Sequence, residues 1–269
     1  MFLIISIGID PVAFSLGPID VRWYGIGYVV AIAVGLWVIL RYARERGLST
    51  DLVWDVGSWA IPAGFIGGRL YYVVQNDFGN YLRHPYEMLQ VWHGGMAYFG
   101  AILAVPVVII IFALLRKGPL LRMLDVAAVF ALVGQPIGRL GNVVNGDIIG
   151  APSNLPWAFR YTNPDSFAPS TTVAYHPAAI YEIIANLILI GMLFPIRKRL
   201  PHGAFAALYL AGYCISQLIV FEWRSEPIVL AGLRQAQVTA LVLLVLEAVV
   251  VFAYVRRDWL IGRFRPTPA

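Results

Sequence analysis

A single cysteine, Cys214, stands among 269 residues, which excludes a framework of intramolecular disulfides. It lies inside an apolar run, where an isolated thiol reads as a small packing residue rather than a nucleophile. Charge is scarce as well. Asp, Glu, Lys and Arg together make 13% of the chain, against about 25% in a soluble domain. A disordered chain and a cytosolic enzyme are both excluded by that shortage. Hydrocarbon takes the place of charge: 59% of residues are hydrophobic and mean hydropathy is +0.73. No single water-soluble core of this length could hide so much apolar side chain. The sequence shows no internal repeat and no low-complexity tract. Its first nine residues are apolar without a basic flank and run into Asp10-Pro11, so a cleaved signal peptide is not expected.

A membrane-crossing helix needs about 20 mainly apolar residues. Seven stretches qualify: 23–40, 56–75, 96–115, 123–138, 178–196, 203–221 and 237–255. The expected fold is therefore an all-α, polytopic membrane bundle of about seven transmembrane helices. It is read as one integral membrane domain over residues 1–269, with a polar segment at about 139–176.

The net charge of +5 gains meaning once its 20 basic residues are placed. Thirteen fall in alternate loops and the tail: Arg41, Arg44, Arg46, Arg116, Lys117, Arg122, Arg197, Lys198, Arg199, Arg256, Arg257, Arg263 and Arg265. The positive-inside rule makes that side cytoplasmic, with the N-terminus outside and the C-terminus inside. No nucleic-acid partner is needed to account for the charge. The other seven are all arginine: Arg22, Arg69, Arg83, Arg139, Arg160, Arg224 and Arg234. Interfacial snorkelling explains Arg22, Arg83, Arg160 and Arg234. Arg69 and Arg139 end apolar runs beside glycine, where a charge must be paired or functional.

The segment Gly138-Arg139-Leu140-Gly141-Asn142-Val143-Val144-Asn145-Gly146-Asp147-Ile148-Ile149-Gly150 sets an arginine, two amides and a carboxylate among four glycines. The guanidinium fork suits a phosphate, and the amides suit hydroxyls. A polar helix end followed by a tight loop is the plainer reading of the same residues. The segment closely resembles the signature of the prolipoprotein diacylglyceryl transferases, a bacterial membrane family. Further matches follow in order along nearly the whole chain. They are Trp23-Tyr24-Gly25, Gly67-Gly68-Arg69, Trp92-His93-Gly94-Gly95, His176-Pro177 with Tyr181-Glu182, and Phe221-Glu222-Trp223-Arg224.

The resemblance implies transfer of a diacylglyceryl group from phosphatidylglycerol to the lipobox cysteine of a prolipoprotein, releasing glycerol phosphate. It implies no metal and no organic cofactor, action as a monomer, and residence in the bacterial plasma membrane with the site toward the outer leaflet. On that basis Arg139 binds the lipid phosphate and Arg224 clamps the headgroup or steadies the departing phosphate. Asn142 and Gly150 shape the site, Asn145 binds a hydroxyl, and Tyr24, Arg69, His176, Glu182 and Glu222 are further substrate-binding positions. Two departures stand out. Asp147 replaces the family's usual glutamate, and Phe99 stands where many members carry histidine. The proton acceptor is therefore open among His93, Tyr98, Asp147, Glu222 and the substrate phosphate; of these, histidine titrates nearest neutrality.

Other polar residues have structural readings. Glu247, deep in the last span, reads as a protonated, hydrogen-bonded glutamate. Asp125 is expected to pair with Arg122 or a loop cation. Trp23, Tyr71, Tyr72, Trp92, Trp157, Tyr175 and Trp223 read as an interfacial belt. Pro106, Pro136 and Glu247 leave room for a transporter, and a non-catalytic lipoprotein-binding scaffold is a third reading. Against transport, the polar cluster gathers at the boundary rather than at the midplane.

Overall fold

The computed structural model describes residues 4–17, 19–76, 78–91 and 95–263. Helices dominate them: α1 (Trp23–Glu45), α2 (Thr50–Gln75), the short α3 (Phe78–Arg83), α4 (Tyr98–Leu115), α5 (Leu120–Asn145), α6 (Ala178–Ile196), α7 (Ala204–Val220) and α8 (Gln235–Arg263). Six are long and apolar enough to cross a membrane: α1, α4, α5, α6, α7 with its 3-10 extension, and α8. The expected second span lies inside α2, which has ample length at 26 residues. Glycines, Pro62 and Arg69 dilute its apolar character, and it does not join the six. Exposed Val242, Val245, Leu246, Val249, Val250 and Phe252 leave much of α8 bare of protein contact, as a lipid-facing helix requires. The chain is a polytopic, helical, integral membrane protein.

Two compact units divide the chain. One holds residues 35–130 and 198–206. There α2 and α4 approach through glycine. A Cβ on Gly67 would sit 2.6 Å from the Gly100 carbonyl oxygen and 2.5 Å from Ala104 Cβ, the small-residue contact that lets membrane helices close up. Ser49 caps α2, its hydroxyl accepting from the Leu52 amide at 3.2 Å. Asp125 is fully buried and accepts from the Gly203 and Ala206 amides at 2.9 and 3.0 Å, so it satisfies orphan donors at the start of α7. Its ion-pair partner is the loop cation Arg46, at 3.7 Å. Arg122 instead donates to the Arg46 carbonyl at 3.3 Å.

The other unit holds residues 1–34, 131–197 and 207–269. Here α1 crosses α5 where a Cβ on Gly141 would lie 2.9 Å from Tyr24 Cα. Glycine at that point lets Tyr24 come down onto the C-terminal end of α5. Between α5 and α6 runs the long polar segment, tied by a small sheet. Strand β1 (Ile5–Ile7) pairs in parallel with β4 (Phe159–Tyr161), which pairs antiparallel with β5 (Ala174–Tyr175). Two hairpins complete the strands: β2 (Val12–Leu16) with β3 (Ile19–Arg22), and β6 (Ile228–Leu230) with β7 (Leu233–Arg234). The second turns on Ala231 and Gly232, both at positive φ, as a two-residue hairpin favours. The seven strands among the described residues lie beyond the all-α expectation, because two to five residues are too few to establish a period-2 pattern.

Three minor readings resolve here. Cys214 is fully buried in α7, in keeping with packing. Tyr175 is buried in β5 rather than standing in an interfacial belt, whereas Trp23, Trp157 and Trp223 are exposed; Trp92 lies outside the described residues. Glu247 Oε2 is buried without a hydrogen-bond partner, unlike the bonded glutamate expected.

Candidate active site

The site grows from the last two turns of α5. Residues three and four apart share a helix face, so Arg139 and Asn142 project together. Arg139 donates from Nε to Glu182 Oε2 at 2.8 Å, and its Nη2 lies 2.7 Å from the same oxygen. The arginine side chain is 11% exposed and the glutamate 3%. Glu182 therefore serves as the counterion that makes a buried guanidinium tolerable, and its Oε2 is spent on Arg139. Arg139 Nη1 has only a long contact, 3.4 Å to Asn142 Oδ1, at the outer limit of a hydrogen bond.

Asn142 is turned so that Nδ2 donates to both oxygens of Asp147, each at 3.0 Å. Arginine, amide and carboxylate are thus linked in one chain of contacts. Gly146, at φ +74°, makes the reversal after α5 that returns Asp147 toward Asn142. Asp147 is open to solvent on one side, yet desolvation by the surrounding protein pushes its carboxyl above the ordinary aspartate value, against the bonds from Asn142. Asn145 is buried, and its Oδ1 accepts from Arg22 Nη1 at 3.3 Å. Arg22 also donates to the Asp165 carbonyl at 3.1 Å and lies over the Phe167 ring. It is a loop clamp rather than a snorkelling headgroup contact. The Tyr24 ring packs at a tilt against Tyr28, with centroids 4.7 Å apart, and lies within electrostatic reach of Arg139 and Asp147.

Gly150 joins this cluster to Arg224. It donates to the His176 carbonyl at 2.8 Å and forms an antiparallel bridge with Arg224. A Cβ there would strike the Trp223 carbonyl oxygen and sit 2.7 Å from His176 Cβ, so only glycine fits. Arg224 donates from Nε to Glu226 Oε1 and Oε2 at 2.8 and 3.1 Å, and its Nη2 pairs with the same carboxylate. Its Nη1 is buried with no partner. Both arginines thus commit one edge to a glutamate and keep Nη1 outside that pair.

The remaining expected residues divide. His176 Nδ1 lies 3.1 Å from the Tyr181 hydroxyl, which accepts from Trp157 Nε1 at 3.0 Å. Burial lowers the His176 pKa, favouring the neutral ring. Glu222 accepts from Gln237 Nε2 at 2.6 Å and so ties the 3-10 turn after α7 to α8. Arg69 belongs to the unit of residues 35–130 and 198–206, where it donates to the carbonyls of Met88, Gly95 and Glu87 at 2.8, 2.9 and 2.7 Å. Those bonds tie Arg69 to the 3-10 turn at Pro85–Leu89 and to Gly95. Phe99 is buried beside Tyr71, with centroids 6.4 Å apart. His93 lies outside the described residues.

A family model described as prolipoprotein diacylglyceryl transferase matches residues 11–253, a range that takes in every one of these groups. The chain belongs to the prolipoprotein diacylglyceryl transferase family. Similar proteins named phosphatidylglycerol–prolipoprotein diacylglyceryl transferase come from distant bacteria. That of Symbiobacterium thermophilum is 35% identical over 254 residues, covering 93% of this chain and 94% of that protein. The Synechococcus elongatus protein is 32% identical over 266 residues, covering 96% and 90%. The Lactobacillus acidophilus protein is 31% identical over 256 residues, covering 93% and 91%.

Family motifs did not point to a second set of polar residues that faces the diacylglyceryl transferase cluster. Gln135 lies one turn deeper than Arg139 on α5, and Asn186 one turn deeper than Glu182 on α6. Tyr209, Tyr213 and Gln217 form a stripe at four-residue spacing on α7. Polar residues at helical spacing within apolar runs were the available signal.

Proposed function

We propose that this chain transfers a diacylglyceryl group from phosphatidylglycerol to a prolipoprotein, the first step of lipoprotein maturation. Membership of the family and the names of the relatives support that reading. In finer detail, the acceptor is the lipobox cysteine thiol. Its sulfur forms a bond to the glycerol carbon as the carbon–oxygen bond to phosphate breaks. The electron pair leaves on glycerol phosphate and the thiol proton passes to a base. Negative charge on the phosphate increases during this step, so donors aimed at it bind the transition state more tightly than the ground state.

The observation that carries the reading is the pair of arginines whose Nη1 atoms stay outside their glutamate pairs. Arg139 sits between the Glu182 counterion and Asn142, and Arg224 is held beside Gly150. A guanidinium already neutralised by a carboxylate keeps its fork fixed, so a phosphate meets preorganised donors. Tyr24, Asn142, Asn145 and Gly150 shape the surroundings, and Asp147 orients Asn142. Asp147, His93, Tyr98, Glu222 and the phosphate itself remain the candidate proton acceptors. The chain acts as one integral domain of seven spans and as a monomer. It lies in the bacterial plasma membrane with its site toward the outer leaflet, where exported prolipoproteins arrive.

The test is to incubate purified protein with phosphatidylglycerol vesicles and a lipobox peptide, then weigh the peptide. A gain of one diacylglyceryl unit is expected. No gain, with lipid or solute exchange across the vesicles instead, would identify a transporter.

A further inference from the structure

In the unit that holds the arginine cluster, three helices carry polar stripes at helical spacing. On α5 the stripe is Gln135 and Arg139; on α6 it is Glu182 and Asn186; on α7 it is Tyr209, Tyr213 and Gln217. Arg139 binds Glu182 and lies within electrostatic reach of Tyr213. The Tyr209 hydroxyl donates to Gln135 Oε1 at 3.5 Å and its ring stacks on Tyr213, centroids 6.2 Å apart. These contacts make one seam of the α5 and α7 stripes.

Within the seam, Gln135 is 8% exposed, Gln217 2% and Asn186 1%. Gln135 Nε2, Gln217 Nε2 and Asn186 Oδ1 are buried with no hydrogen-bond partner. An orphaned amide is costly anywhere in a protein interior and more so where helices cross hydrocarbon. Gln217 follows Tyr213 by one turn and so lies on the far side of the guanidinium, whereas Gln135 lies one turn below it. A glycerophospholipid anchored by its phosphate presents acceptors at that depth: two ester carbonyls, with the acyl chains beyond them.

We propose that Gln135 is a specificity-determining residue that donates its side-chain amide N–H to an ester carbonyl oxygen of the bound phospholipid. The inference rests on the reading of Arg139 as the phosphate ligand. An ester carbonyl has no donor, so it leaves the Asn186 acceptor unsatisfied. The seam therefore selects diacyl over dialkyl lipids, because an ether oxygen is a weaker, differently placed acceptor.

The experiment compares wild type with Gln135→Met, which keeps volume and loses the amide. Each transfers to a lipobox peptide from diacyl phosphatidylglycerol and from its dialkyl analogue. Wild type should favour the diacyl lipid. The variant should lose about two- to tenfold in kcat/KM on the diacyl lipid and little on the dialkyl lipid, so the ratio narrows. Thermal stability of the lipid-free variant should hold or rise, because an orphaned amide has been removed. An unchanged ratio with an active wild type overturns the proposal alone. Lower stability at an unchanged ratio shows the amide to be structural and also overturns it. Wild type inactive on both lipids overturns the functional reading and the proposal with it. If the methionine variant does not fold, Gln135→Asn, with shorter reach, carries the same ratio test.

Discussion

Replacing Glu182 by glutamine isolates the charge of the buried pair from its shape. In the native site one carboxylate oxygen takes Nε at 2.8 Å and lies 2.7 Å from Nη2. Both side chains are almost fully removed from solvent. Removing one partner of such a pair costs about 3–5 kcal/mol, because the other charge stays buried and uncompensated. Glutamine retains a neutral acceptor in place of a charge-assisted one, which recovers about 1 kcal/mol. Glu182→Gln should therefore lose about 2–4 kcal/mol of stability, read by thermal or denaturant unfolding in detergent. Arg139→Gln leaves the carboxylate uncompensated and should lose a similar amount. The double variant has no buried charge in the pair and should be less destabilised than the two losses summed, with a coupling of about 2–3 kcal/mol. A coupling under about 0.5 kcal/mol would refute the view that Glu182 is the counterion of Arg139.

Other outcomes follow from single contacts. Gly150→Ala drives a Cβ into the Trp223 carbonyl and against His176, so it should destabilise by about 1–3 kcal/mol and lower transfer, measured by unfolding and peptide mass together. Asp125→Ala removes the cap on the Gly203 and Ala206 amides and strands Arg46. Stability should fall by about 3 kcal/mol or more, whereas KM for lipid in the folded fraction should stay unchanged. Burial holds the His176 pKa below its ordinary 6.5. The folded protein therefore takes up that proton at lower pH than the unfolded chain. Its contribution to stability is complete above pH 6.5 and is lost as pH falls through the folded-state value. Against His176→Gln, wild type should lose stability more steeply in that range; parallel pH profiles would reject the assignment.

Much of this arrangement was legible in the sequence, for identifiable reasons. Six apolar runs became membrane-length helices because length and hydropathy decide that outcome almost alone. The second run became a helix too, but Pro62 and Arg69 leave it less apolar than the rest. Arg139, Asn142, Asn145 and Asp147 sit within nine residues, so helix periodicity and one glycine turn suffice to join them. Partner choice was harder to read. Glu182 lies 43 positions from Arg139, and only the packing of α6 against α5 brings its carboxylate to the guanidinium. Arg69 was expected to contact substrate, yet its donors serve three carbonyls of a loop about 20 residues away. Gln135 has no charge to draw attention, and its meaning rests on α5 and α7 facing each other.

An intact-mass time course tests the role of Arg139 most directly. A lipobox peptide is incubated with phosphatidylglycerol and either wild type or Arg139→Ala at matched amounts of folded protein. Wild type should add one diacylglyceryl unit to the cysteine peptide, and Arg139→Ala should add none. Equal mass gain by the two folded proteins would contradict the assignment of Arg139 as the group that holds the phosphate during transfer.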